Sequence, residues 1–211
     1  MPDLYIITGS NGAGKSTIGP DYLPLEIHHH YTVFDGDLLY TQKLKELFPD
    51  VIRSAKYARQ EALDYVVQLF EDETNRALVN NDHFVYEGHF TNDETWEKPR
   101  IFKRAGYRIH LLFFGLDSPE LSQFRVTERV TEGGHYVDPQ TLRSNFYGNL
   151  EKLNIHNQLI DYLTIVDTSQ INHHILFKAA PGRVEFHVGK DELPAWFIEF
   201  LPSIVQKFSG R

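Results

Sequence analysis

The residues with the plainest chemistry lie near the start of the chain, in Gly9-Ser-Asn-Gly-Ala-Gly-Lys-Ser16 followed by Thr17. They meet every constrained position of the phosphate-loop pattern G-x-x-x-x-G-K-[ST]. Three glycines let backbone N–H groups turn inwards, so Asn11, Gly12, Ala13, Gly14 and Thr17 are the expected cradle for nucleotide phosphates. Lys15 would reach the β- and γ-phosphates as a point charge, and Ser16 would give its hydroxyl oxygen to Mg²⁺. The spacing predicts a site for ATP or GTP. The competing reading is a glycine-rich turn that happens to spell the motif. An apolar run before it (Leu4 to Thr8) and Lys-Ser-Thr after it weigh against that.

Three further groups could work beside such a loop. Asp35-Gly36-Asp37 follows a β-favouring run from Tyr31 to Phe34. A carboxylate at the end of a parallel strand would lie in the crevice where doubly wound sheets bind ligands. There it could accept the proton of an attacking hydroxyl. Turn or helix-capping chemistry is the alternative, evenly balanced for Asp37 and favoured for Asp35. Glu87 closes the next apolar run, His83 to Tyr86, and is a candidate contact to substrate or to a Mg²⁺-bound water, or else a solvated strand end. Arg125 and Arg129 are one helical turn apart after Ser118-Pro119. They suit a lid that places positive charge over a transferring phosphoryl group, or an exposed face paired with Glu128 and Glu132.

The elements that must position these groups read as alternating strands and helices. Strands are expected at Leu4 to Thr8, Tyr31 to Phe34, His83 to Tyr86, Tyr107 to Phe114 and Asp161 to Asp167. A long helix is expected from Ile52 to Val79, with Ala58, Ala62, Val66 and Phe70 on its sheet-facing stripe. Thr91-x-x-Glu94 reads as a capping box opening a helix to Arg104, and Asp138-Pro139 as the start of another to Leu153. Gly133-Gly134 between two helices suits a hinge, and Asp167-Thr168-Ser169 is where an adenine would be held. Leu176 to Ala179 and Val184 to Val188 read as a hairpin, and Pro194 to Phe208 as a closing amphipathic helix. His28, His29 and His30 are adjacent and point different ways, so a solvated loop is expected rather than a metal site. The fold class predicted is α/β: a P-loop NTPase or kinase fold with a mainly parallel five-stranded sheet, helices on both faces, a helical lid, and a C-terminal hairpin and helix. One domain over residues 1–211 is expected, with its core at about 3–170.

Composition excludes several classes. With 21 basic and 29 acidic residues the net charge is −8, which argues against a nucleic-acid partner. No apolar run is long enough to span a bilayer and no basic-then-apolar leader precedes the first strand, so a cytoplasmic protein is expected. The chain has no cysteine, which removes disulfides, thiolate zinc sites and thiol catalysis.

Taken together these motifs resemble the stand-alone zeta-toxin-like kinases, some of which are labelled ABC-type ATPases. The resemblance rests on the loop Gly9 to Thr17, on Phe34-Asp-Gly-Asp37, Ala58-Arg-Gln-Glu-Ala62 and Tyr86-Glu87. Above all it rests on the block from Gly106-Tyr-Arg-Ile-His-Leu through Ser118-Pro-Glu-Leu and Arg125-Val-x-x-Arg129 to Gly-Gly-His135-x-Val137. It covers roughly residues 3 to 170. It implies a kinase that uses ATP and Mg²⁺ to phosphorylate a hydroxyl of a nucleotide-activated amino sugar, UDP-N-acetylglucosamine in the toxins. Asp37 would be the general base, Glu87 a substrate contact and Arg129 a phosphate clamp, and an antitoxin protein is the partner implied. Two departures stand out. Gly88-His89 follows the glutamate where the family has a small residue, often Thr. Asn145 precedes Phe146 where relatives often have arginine, so Arg125, Arg143 and His135 are the candidates for a second clamp. A P-loop NTPase or a nucleotide-binding module acting through a partner is the alternative. The chain lacks the terminal Asp-Glu of a Walker B strand and the Leu-Ser-Gly-Gly-Gln signature that an ABC-type ATPase needs.

Overall fold

The computed structural model describes residues 1–131 and 136–209; His135 and the Gly133-Gly134 pair lie outside them. Strand β1 (Asp3–Gly9) is buried at every position, as an unbroken apolar run requires when both faces of a parallel strand are covered. The phosphate loop leads into α1 (Lys15–Ile18), a single turn stopped by Pro20, and α2 (Leu25–His30) follows Pro24. The three histidines stand exposed on the last turn of α2, not in the expected loop.

The second strand is shorter than its β-favouring run. β2 keeps only Phe34 and Asp35, because Tyr31 closes α2 and sends its hydroxyl to Asp82 instead. Next come α3 (Gly36–Leu47), the long α4 (Ala55–Asn80) ended by Asn81 at φ 52°, and β3 (Phe84–Glu87). Asn92, not Thr91, caps the turn that leads into α5 (Glu97–Arg104), since the Thr95 amide donates to the Asn92 carboxamide oxygen at 3.1 Å. After β4 (Arg108–Gly115), helix α6 (Pro119–Thr131) starts on a Ser118 cap, and α7 (Pro139–His156) on an Asp138 cap.

Strands β5 (Tyr162–Asp167), β6 (His174–Ala180) and β7 (Arg183–His187) complete one sheet of order β2-β3-β1-β4-β5-β6-β7. The five parallel strands are those expected. The hairpin does not stand apart but extends them to seven, because β6 pairs antiparallel with the edge β5 would otherwise expose and buries Leu176 and Phe177. The closing helix is broken at Pro202 into α8 (Ala195–Phe200) and α9 (Pro202–Val205), which rest on α7 through Ser203.

The strand order makes the site. From β1 the chain runs out to the β2 edge, returns as β3, then crosses to β4 on the other side, so a crevice opens over the ends of β1 and β3. Register puts Glu87 level with Ile7 and Asp35 level with Glu87, which brings three segments to one rim. Gly9 is obligatory here. It sits at φ 137°, and a Cβ would lie 2.1 Å from the Phe114 carbonyl oxygen. Among the described residues no helix is long and apolar enough to cross a membrane.

Candidate active site

A cleft of about 500 Å³ lies over the phosphate loop, lined by Asn11, Gly12, Gly14, Lys15, Ser16 and Thr17. Across from them stand Asp35, Asp37 and Glu87, and Arg125 and Arg129 come from α6. Ala13 packs inwards with its side chain buried, its amide held by the Ser10 carbonyl at 3.2 Å. Lys15 is itself buried and folds back over the loop, donating to the Ser10 carbonyl at 3.0 Å and standing 3.8 Å from Glu87. Ser16 donates to the other Glu87 oxygen at 2.8 Å.

Burial dominates the electrostatics of this trio. It pulls the Lys15 ammonium below its ordinary range, against the opposing pull of Glu87, Asp37 and Asp35. It pushes the Glu87 carboxyl upwards, against Lys15 and the Ser16 hydrogen bond. The buried cation thus faces three carboxylates, with Arg129 opposing them.

The two aspartates divide as their positions allow. Asp35 caps α3, accepting from the Leu38 amide at 3.0 Å, and so has the structural role favoured for it. Asp37 stands in the first turn of α3 with its side chain outside that cap, on the same helix face as Thr41 and Lys45, which also line the cleft.

The arginines divide too. Arg125 donates to the Gly12 carbonyl at 3.4 Å and to the Ser169 carbonyl at 3.1 Å, tying the loop to the segment after β5. Arg129, one turn further, lines the cleft. Arg143 does not: 61% exposed, it pairs with Glu120 at 3.2 Å on the outer surface. His135 falls outside the described residues.

A network that the motifs did not reveal holds this arrangement from behind. Ser122, fully buried on α6, donates to the Asn11 carbonyl at 2.7 Å. Asn145 donates to the Asn11 side chain at 2.9 Å. One turn on, Asn149 accepts from the Thr8 hydroxyl at 3.2 Å and the Phe90 amide at 2.7 Å, and donates to the Asn145 carbonyl at 2.6 Å. Its amide also meets His89 Nδ1 at 3.3 Å. Burial, reinforced by the Lys15 charge, holds His89 down to about 3, so the ring is neutral and accepts from Asn149. The signal in the sequence was the spacing: two asparagines at i and i+4 set among Leu142, Phe146, Leu150 and Leu153 on the buried face of α7.

Loop, strand order and crevice together define a P-loop kinase fold. The sequence model of the Zeta toxin family matches residues 1–176, and the chain belongs to that family. Solved structures agree in fold. The AvrRxo1-ORF1:AvrRxo1-ORF2 complex with sulphate ions superposes with a TM-score of 0.71 at 14% identity, over 95% of this chain and 64% of that one. The same complex with ATP gives 0.70 at 16% identity, with the same coverage. A structure from the PezAT chromosomal toxin-antitoxin system of Streptococcus pneumoniae gives 0.58 at 20% identity, over 82% of this chain and 72% of that one. The chain thus spans less than two thirds of the length of the AvrRxo1-ORF1 complex chain that it matches. A comparison with curated proteins finds no match.

Proposed function

We propose that this chain transfers the γ-phosphoryl group of ATP to a hydroxyl of a small nucleotide-activated sugar, with UDP-N-acetylglucosamine as the model acceptor. The observation that carries the reading is one cleft that gathers the phosphate loop, Lys15, Arg129, Glu87 and an uncapped Asp37. Asp37 takes the proton of the acceptor hydroxyl as its oxygen attacks the γ-phosphorus. A new P–O bond forms to the acceptor, the β,γ-bridging P–O bond breaks, and ADP departs with the electron pair. Lys15 and Arg129 hold the charge that spreads over the phosphate oxygens. Glu87 gives up Ser16 and Lys15 as nucleotide enters and turns to the acceptor.

The residues present fit Mg²⁺. The Ser16 hydroxyl, which Glu87 releases as nucleotide enters, is a hard oxygen donor at the mouth of the loop and would hold the ion there. Mg²⁺ takes only one or two such protein oxygens, with phosphate and water filling the rest. When bound it supplies charge neutralisation at the phosphates. A protein partner that restrains the activity, an antitoxin, is proposed on the strength of the family and the PezAT system.

Incubation with ATP, Mg²⁺ and UDP-N-acetylglucosamine, read by mass spectrometry, tests the reading. It predicts a product heavier than the acceptor by one phosphoryl group. ATP consumed with every acceptor returned unmodified would favour an NTPase instead.

A further inference from the structure

The β6–β7 hairpin and the turn Gln206–Ser209 enclose a second cavity, of about 610 Å³, over the start of β5. Strands β1, β4 and β5 run parallel, so this cavity and the phosphate loop lie at opposite ends of the sheet. The two spaces share no lining residue. The hairpin wall and Lys207 lie beyond residue 176, where the match to the Zeta toxin model ends. Its volume falls within the range of small-molecule sites.

One side of the cavity is apolar, formed by Ile160, Leu163, Ala179 and Val184. The β6–β7 register slips between Lys178 and Ala179 and skips Glu185, which stays out of the lining. Two of the charged residues that do line it are already matched. Asp161 is paired with Lys103 and accepts from the Ile109 amide at 2.8 Å, and Arg183 pairs with Glu185 at 2.9 Å.

Lys207 is different. Its ammonium donates to Asn157 Oδ1 at 2.6 Å, and among the described residues no carboxylate pairs with it. Asn157, buried at the end of α7, donates its amide to the Asn154 carbonyl at 2.7 Å and the Ser203 hydroxyl at 2.9 Å. Those two bonds turn its oxygen towards the lysine. Burial pulls the Lys207 ammonium below its ordinary range. A half-buried cation met only by an amide oxygen carries a desolvation cost that an anion in the cavity would offset. One unmatched cation suits one negative charge. A phosphate would bring up to two, and more oxygens than this site has free donors.

We propose that this cavity binds a small organic monocarboxylate, its carboxylate on Lys207 and its apolar body against Ile160, Leu163, Ala179 and Val184. The site goes beyond the kinase reading and stands or falls apart from it.

Titration calorimetry tests it with benzoate, cyclohexanecarboxylate, hexanoate and 3-methylbutanoate, each beside its own neutral amide, and with inorganic phosphate. At least one carboxylate is expected to bind saturably, about ten-fold more tightly than its amide and than phosphate. Binding should persist in a saturating non-hydrolysable ATP analogue, because the phosphate cleft lies elsewhere. Lys207→Met and Val184→Trp, the second filling the cavity, are each expected to weaken it about ten-fold, while Lys207→Arg retains it. A cooperative urea transition shows that a variant is folded. Four outcomes overturn the site: no saturable carboxylate, one held no tighter than its amide or phosphate, one displaced by the analogue, or one that a folded Lys207→Met or Val184→Trp binds unchanged. The first three need no variant.

Discussion

On the nucleotide side of the cleft, Asn11 accepts from Ser122 and Asn145, and the Thr8 hydroxyl donates to Asn149, through buried or half-buried hydrogen bonds. On the acceptor side, α3 carries Asp37 into the same cleft yet buries none of its residues. Its strand β2 joins the sheet through only two paired positions, Phe34 with Tyr86 and Asp35 with Glu87. Leu38, at the cleft wall, is 54% exposed. One half is a fixed frame, which on the proposed reading holds the nucleotide. The other, which on the proposed reading meets the acceptor, packs on α4 with no side chain fully buried.

That contrast makes ordered predictions. Apart from Asp37 itself, the largest effect is expected at Arg129. Its replacement by Ala should lower kcat about 10³-fold with ATP affinity little altered. Arg125→Ala should instead weaken ATP binding, because its guanidinium holds the Gly12 and Ser169 carbonyls. Steady-state kinetics on both variants separates the two roles, and equal effects on kcat would remove the distinction.

Next is the frame itself. Asn149→Leu strands the Thr8 hydroxyl and the Phe90 amide, and should cost about 3 kcal/mol in urea unfolding. Leu38→Ala should cost under about 0.5 kcal/mol and show its effect in the acceptor KM. Comparable losses of stability would mean that the halves are anchored alike.

The His89 ring sits at about 3 in the folded chain against an ordinary 6.5. As pH falls, the unfolded chain therefore takes up this proton first. The stability it protects is complete above pH 6.5 and is lost from there towards pH 3, with a slope of up to about 1.4 kcal/mol per pH unit. His89→Gln should flatten that part of the profile, and an unchanged slope would contradict the assignment. Smallest is Tyr86→Phe. The buried Tyr86 hydroxyl has no hydrogen-bond partner, so its removal should leave stability unchanged or raise it by about 1 kcal/mol.

How much of this was legible follows the same division. The phosphate loop can be read because phosphates are bound by backbone, and the backbone's needs (glycines, a strand before, a helix after) are written locally. Asp35 as a cap was legible for the same reason. The Asn145–Asn149–His89 network was not, because its partners lie 134, 141 and 60 residues apart and meet only when α7 packs on β1. The length of β2 was misread because apolar Tyr31 and Val33 serve the core from outside the strand. Arg143 fails as a clamp because it is two residues from Asn145, about 200° round the helix, which turns it to solvent.

The central claim is that Asp37 activates an acceptor hydroxyl over this phosphate loop. Its most direct test is ADP release from ATP and Mg²⁺ with a panel of UDP-sugars, wild type against Asp37→Asn. The account predicts release stimulated by one acceptor and reduced about 10²- to 10⁴-fold in the variant. Steady hydrolysis, indifferent to every acceptor and to Asp37, would contradict it.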